Sequence, residues 1–279
     1  MKKYLVRILA VIVLITSIAV MTGWVLDIAA LKSILPQWVT MKFSTALSFF
    51  FGGVILYSLD KSFRDEAGFS EVLLPISSLI ILLLMISLLA SVLFGISTGI
   101  EDLFVKEAQG AVATAAPGQP SIGTMFSFIL IALTGITVMT KSPRIYLYTS
   151  ISGWLVVTMG ALALLGYMLG IPVLYYAIEG MSSAMAVHTA ILFLLIGIGL
   201  VLLGKTESVT ENATESVAES VAEEIPTEKP TLRVLKINYG RLFYLLPWCQ
   251  CSLLAGLFIG VPWKTLLVRH LVNWNWLLN

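Results

Sequence analysis

Six stretches of this 279-residue chain, at 4–26, 43–59, 72–95, 123–140, 145–169 and 185–204, run almost without a charge. Each is close to the ~20 apolar residues that a helix needs to cross about 30 Å of hydrocarbon. No soluble core could hide them all. The chain is 58% hydrophobic and 12% charged, where a soluble domain carries about a quarter charged residues. Backbone amides in lipid must bond within their own segment, so the runs are helices; a membrane β-barrel would need alternating polarity instead. The fold class that follows is all-α integral membrane, a bundle of six transmembrane helices. Met1-Lys2-Lys3 opens like a signal peptide, but the run at 4–26 is longer than an h-region of about 7–15 residues, and reads as the first span.

Lysine and arginine set the expected orientation. Lys2, Lys3, Arg7, Lys61, Arg64, Lys141, Arg144 and Lys205 fall on one side of the spans, against Lys32, Lys42 and Lys106 on the other. By the positive-inside rule the N-terminus is cytoplasmic in an inner or plasma membrane, and Arg7 reaches inward from its span. The formal charge of +1 hides an uneven distribution: Glu207, Glu211, Glu215, Glu219, Glu223, Glu224 and Glu228 lie in one stretch after the sixth span. Elsewhere basic residues exceed acidic ones, which suits anionic headgroups; no basic cluster is interleaved with recognition residues, so nucleic acid is not an expected partner.

The chain reads as three helical hairpins of one kind, at about 4–60, 72–140 and 145–204. The even-numbered spans carry Thr45-Ala46-x-x-Phe49, Thr124-Met125-x-x-Phe128 and Thr189-Ala190-x-x-Phe193, each followed by a small residue, Gly53, Ala132 or Gly197. Met41 and Met185 precede their threonines by four positions. The odd-numbered spans end in Gly23-Trp24-x-x-Asp27-Ile28, Gly95-Ile96-x-x-Gly99-Ile100 and Gly166-Tyr167-x-x-Gly170-Ile171. The middle unit is longer by an Ala/Gly/Pro-rich insertion around 111–120. In the first outer loop Ile28, Leu31, Ile34, Leu35 and Trp38 recur at helical spacing, predicting a short helix lying in the interface; residues 171–178 have similar character.

Beyond the sixth span, glutamates recur every fourth residue. On a helix they would form a repelling stripe, and a period of four drifts around the helix axis. Residues 205–232 are therefore expected to be a cytoplasmic tether, largely solvated and partly disordered, ended by Pro226 and Pro230. The apolar segment 233–279 predicts a seventh span over 242–261 with an interfacial tail; a hairpin lying in the membrane is the alternative.

Residues with chemical potential are few. His188 could ligate a metal or haem or accept a proton, but an interfacial histidine satisfied by water is the commoner case. The outer acids Asp27, Glu101, Asp102, Glu107 and Glu179 could ring an entry, though such groups are mostly solvated. No spacing of His, Cys, Asp and Glu suits a metal, and Cys249-Gln250-Cys251 lacks redox spacing. No nucleophile–base pair or phosphate-cradling loop is present, so neither an enzyme nor a cofactor is expected. Thr45, Thr124 and Thr189, with Gly53, Ala132 and Gly197, read as helix-packing positions.

The run Met185-Ala186-Val187-His188-Thr189-Ala190-Ile191-Leu192-Phe193, preceded by Gly166-Tyr167-Met168-Leu169-Gly170, resembles the membrane-embedded N-terminal module of multi-pass bacterial sensor histidine kinases and related signalling proteins. There, helices of the form Met-x-x-x-Thr-Ala-x-x-Phe pair with helices ending in Gly-aromatic. The resemblance spans about 1–204 and implies sensing, or anchoring of a signalling output. Where an output domain follows in that family, this chain has its Glu-rich stretch. The expectation is a sensor or interaction subunit binding a lipid or hydrophobic ligand from outside. Its lining would come from Trp24, Trp38, Met41, Tyr167, Tyr175, Tyr176, Met185 and His188. Membrane lipids, a cytoplasmic signalling protein or a second copy of the chain are the expected partners. A small transporter and a structural subunit of a membrane complex are the alternatives.

Overall fold

The computed structural model describes residues 2–224, apart from 36–37, 65, 67, 97, 102, 106, 108–111, 115–116, 140–143 and 176–182; from 206 onward it describes backbone only. The expected seventh span, with Cys249 and Cys251, lies outside the described residues, as do Tyr176, Asp102 and Glu179.

Among the described residues there are helices and no strands. The elements are α1 (Lys2–Val25), a one-turn α2 (Ala29–Lys32), α3 (Phe43–Ser62), α4 (Ser70–Phe94), α5 (Ile122–Met139), α6 (Ile145–Leu169), a 3-10 turn (Pro172–Leu174) and α7 (Val187–Glu224). All but α2 and the 3-10 turn contain a segment long and apolar enough to cross a membrane. The protein is a multi-pass helical membrane protein.

The six long helices close into a ring in chain order, α1 against α3, then α4, α5, α6 and α7, and α7 back against α1. Their roles alternate. Within their spans α3, α5 and α7 bury half or more of their residues, whereas α1, α4 and α6 bury a third or fewer. The second helix of each hairpin is thus central, and the first carries the lipid-facing aliphatics, such as Ile12 and Ile15, Leu79 and Leu83, Leu155 and Leu162. At the centre the rings of Phe49, Phe128 and Phe193 meet in a mutual triad, with centroids 4.7, 4.8 and 4.9 Å apart and none exposed. Side chains at i and i−4 share a helix face, so Thr45, Thr124 and Thr189 form the next layer, and all are buried.

Small residues set how closely each hairpin packs. A Cβ on Gly197 would lie 2.8 Å from Gly153 O and 2.7 Å from Val157 Cγ2; on Gly160, 2.6 Å from Ala190 O; on Gly204, 2.6 Å from Tyr146 O. This seam along α6 and α7 brings the two backbones together. In the first hairpin a Cβ on Gly53 would meet Leu14 Cγ at 2.9 Å. Ala132 is fully buried on α5.

Three expectations are corrected. The segment after the sixth span is not a disordered tether where it is described: α7 runs on as helix to Glu224. A membrane helix already formed removes the nucleation cost, and repulsion of about 0.2–0.5 kcal/mol per glutamate pair is too small to stop propagation. The expected interfacial helix over 28–38 is a single turn, because the Ser33 hydroxyl bonds the carbonyls of Leu35 and Trp38 and turns the chain back. The first helix of the middle hairpin stops at Phe94, with Gly95 left-handed (φ +64°), before the Gly99-Ile100 pair that aligns with the other helix ends.

Candidate functional site

The candidate residues gather at the Trp24 end of the bundle. Trp24 Nε1 donates to Met41 O at 2.8 Å, and Tyr167 OH donates to Met185 O at 2.8 Å. Met41 N donates to Lys32 O, and Met185 N to Tyr175 O, each at 2.9 Å. Tyr167 and Tyr175 stack at 4.2 Å, and Trp38 lies 5.8 Å from Tyr167, so the first and third hairpins touch through aromatic rings. Met41 and Met185 are almost fully buried. Trp24 and Met41 are thereby joined, as are Trp38, Tyr167, Tyr175 and Met185, and the Trp24 and Tyr167 donors are taken up by backbone carbonyls.

His188 stands apart. It lies in the first turn of α7, and both ring nitrogens are buried without a hydrogen-bond partner. The Ser183 hydroxyl nearby in sequence is likewise buried and unpartnered. Among the described residues no group of His, Cys, Asp and Glu could hold a metal ion.

A polar roof lies over the start of α3. Lys42 Nζ reaches Glu107 Oε1 at 2.5 Å and Thr114 Oγ1 at 2.7 Å, and Gly118 N donates to Glu107 Oε2 at 2.8 Å. Both charged side chains are 95% or more buried. Glu107 is therefore no solvated outer acid: the outer loop of the middle hairpin supplies it to Lys42. Burial lowers the Lys42 ammonium below its ordinary range, which contact with Glu107 only partly offsets. The same outer loop offers Ala113 O to Ala184 N at 3.0 Å, so it bridges the segments leading into α3 and α7. Glu101 is also tied down, accepting from Ser91 and Thr98. Asp27 stays exposed and pairs with Lys32, whose ammonium also sits 4.7 Å over the Trp24 ring.

At the opposite end Arg7 does not simply reach for water. Its Nε donates to Asp60 at 2.7 Å and its Nη2 to Glu66 at 2.7 Å, while Arg64 Nη2 holds the other Asp60 oxygen at 2.8 Å. Asp60 is completely buried. Sequence reasoning passed over this aspartate, although an arginine inside an apolar run signals that an acid must lie at its depth.

Facing lipid between α1 and α3 is an apolar groove of about 410 Å³, lined by Ile18, Met21, Thr22, Val25 and Leu26 and by Phe43, Leu47, Phe50 and Phe51. None of the expected lining residues borders it.

These features define a class, a multi-pass α-helical membrane protein with a closed aromatic centre. No protein-family model, curated protein or solved structure matches the chain.

Proposed function

We propose that the protein is a sensor or interaction subunit of a signalling system in the inner or plasma membrane, with its N-terminus cytoplasmic. The observation that carries this reading is α7. One helix contains Phe193 of the central triad and continues to Glu224, 19 residues past Lys205, or about 28 Å at 1.5 Å per residue. A displacement among the central helices is passed along such a rod without an intervening loop. The resemblance of residues 185–193 to sensor-kinase membrane modules points the same way.

The internal repeat belongs to this proposal. Asp27, Gly99 and Gly170 occupy one motif position and are all left-handed, with φ of 55°, 77° and 64°. The isoleucine after each accepts a bond from a leucine three residues on: Leu31, Leu103 and Leu174. The Trp24–Met41 and Tyr167–Met185 bonds are likewise equivalent. In the middle unit Ile96 and Pro120 stand at those positions. Ile96 has no side-chain donor to offer the Pro120 carbonyl, and the outer loop carrying Glu107 takes over the roof. We read the three hairpins as copies of one unit meeting at their phenylalanines.

Permeation is the weaker reading, because the Phe49–Phe128–Phe193 triad leaves the central helices in contact where a path would run. The proposal is tested by mild-detergent purification of the full chain and of a variant lacking 206–224. A signalling protein recovered in fixed ratio with the full chain and lost with the variant supports it. Equal recovery with both overturns the role given to α7.

A further inference from the structure

We propose that the groove between α1 and α3 is a binding site for one acyl chain of a membrane lipid. This goes beyond the proposed function and rests on it for its biological use. The two helices are pinned at two levels, by the Trp24–Met41 bond at one end and by Gly53 against Leu14 nearer the other. Between the pins they part. In the α6–α7 hairpin the corresponding level is closed by Gly160 against the Ala190 carbonyl. The repeat places Ser17 at that position of α1, buried and bonded to the Leu14 carbonyl. Without a glycine there α1 cannot approach α3 as α6 approaches α7, and the gap is bordered by Phe50 and Phe51 where α7 has Leu194 and Leu195.

Location and chemistry select the occupant. The lining belongs to the last two turns of α1 and the first turns of α3, within the spans and beside the exposed Ile18, Val25 and Leu26, so the groove opens sideways into hydrocarbon. Its one hydroxyl, on Thr22, is already spent on the Ile18 carbonyl at 2.9 Å. No free donor or charge lines it, which disfavours a polar solute. An apolar cavity of ~150 Å³ accepts the six carbons of benzene; scaled to about 410 Å³, that is on the order of sixteen carbons, the size of one lipid chain.

The experiment uses the full-length protein in phosphatidylglycerol vesicles containing a phospholipid with a diazirine on one acyl chain. After irradiation, adducts are mapped by peptide mass spectrometry. The expected result is adducts concentrated at least fivefold on Met21, Leu47, Phe50 and Phe51 relative to the lipid-facing Leu83 and Leu155. L47W, which fills the groove, removes that enrichment, while L155W on the outer face of α6 keeps it. Even labelling across all lipid-facing residues of the wild type overturns the proposal, and that comparison does not depend on L47W folding. Recovery of a signalling partner is scored separately. Groove labelling without a partner leaves the lipid site standing and removes the signalling role; a partner without groove labelling does the reverse.

Discussion

Replacing Lys42 by Met strands the Glu107 carboxylate, which is buried and, among the described residues, is paired with Lys42 alone. The expected cost is about 3–5 kcal/mol, whereas neutralising both partners as K42M/E107Q costs less, because no unpaired charge remains buried. Thermal unfolding in detergent of the two singles and the double variant measures this. His188 is the opposite case. With no bond to either ring nitrogen, H188L loses nothing polar and is expected to leave the unfolding temperature unchanged or raised; a fall of several degrees would reveal a bound group. Asp27 is held below its ordinary value of 3.8 by the hydrogen bond from Lys32. A depressed carboxyl contributes stability above its unfolded value and loses it as pH falls through the folded one. The loop should therefore be insensitive to pH near neutrality and loosen only in strong acid, which backbone amide exchange at residues 27–33 would follow. The buried Lys42–Glu107 pair was not easy to read from residue order. Glu107 sits 65 positions from Lys42, ahead of the Ala/Gly/Pro-rich insertion in a stretch with no periodicity, so nothing local marks it as inward.

At the level of elements the informative contrast is between two glycines at one motif position. A Cβ on Gly197 would meet the Gly153 carbonyl and the Val157 amide, both at 2.8 Å, while on Gly53 it would meet first the side chain of Leu14. Backbone cannot yield as a leucine can. G197A should therefore destabilise by roughly 1–3 kcal/mol and G53A by less, as read from the two unfolding midpoints. In α7 the period-four glutamates were legible but their conformation was not, since charge repulsion was weighed without the membrane helix that seeds the segment. E211P should break the extension there and lower helical content by circular dichroism while leaving residues 187–205 in place. Recovery of the same helicity as the parent would refute a continuous rod.

Across the whole molecule, the spans were readable because apolar length alone decides them; the central position of α3, α5 and α7 was not. What residue order could not supply was how the motif is used: that its phenylalanines converge, and that the aromatic ends of α1 and α6 bond methionine carbonyls. Such contacts depend on pairings across a hairpin. If the triad is one packing unit, F49A, F128A and F193A each cost about 3–5 kcal/mol, and any pair costs less than the two singles together, because the first truncation already removes contacts of the second. Strict additivity would argue for three independent sites.

Every unit of this bundle leaves a surface and comes back to it. Among the described residues the spans number six, so Lys2 and Lys205 end on the same side whichever side that is. A chain built this way can gain or lose a whole hairpin without inverting anything attached downstream. Length in the membrane and address of the attached segment are separate variables, and duplication can explore the first without disturbing the second.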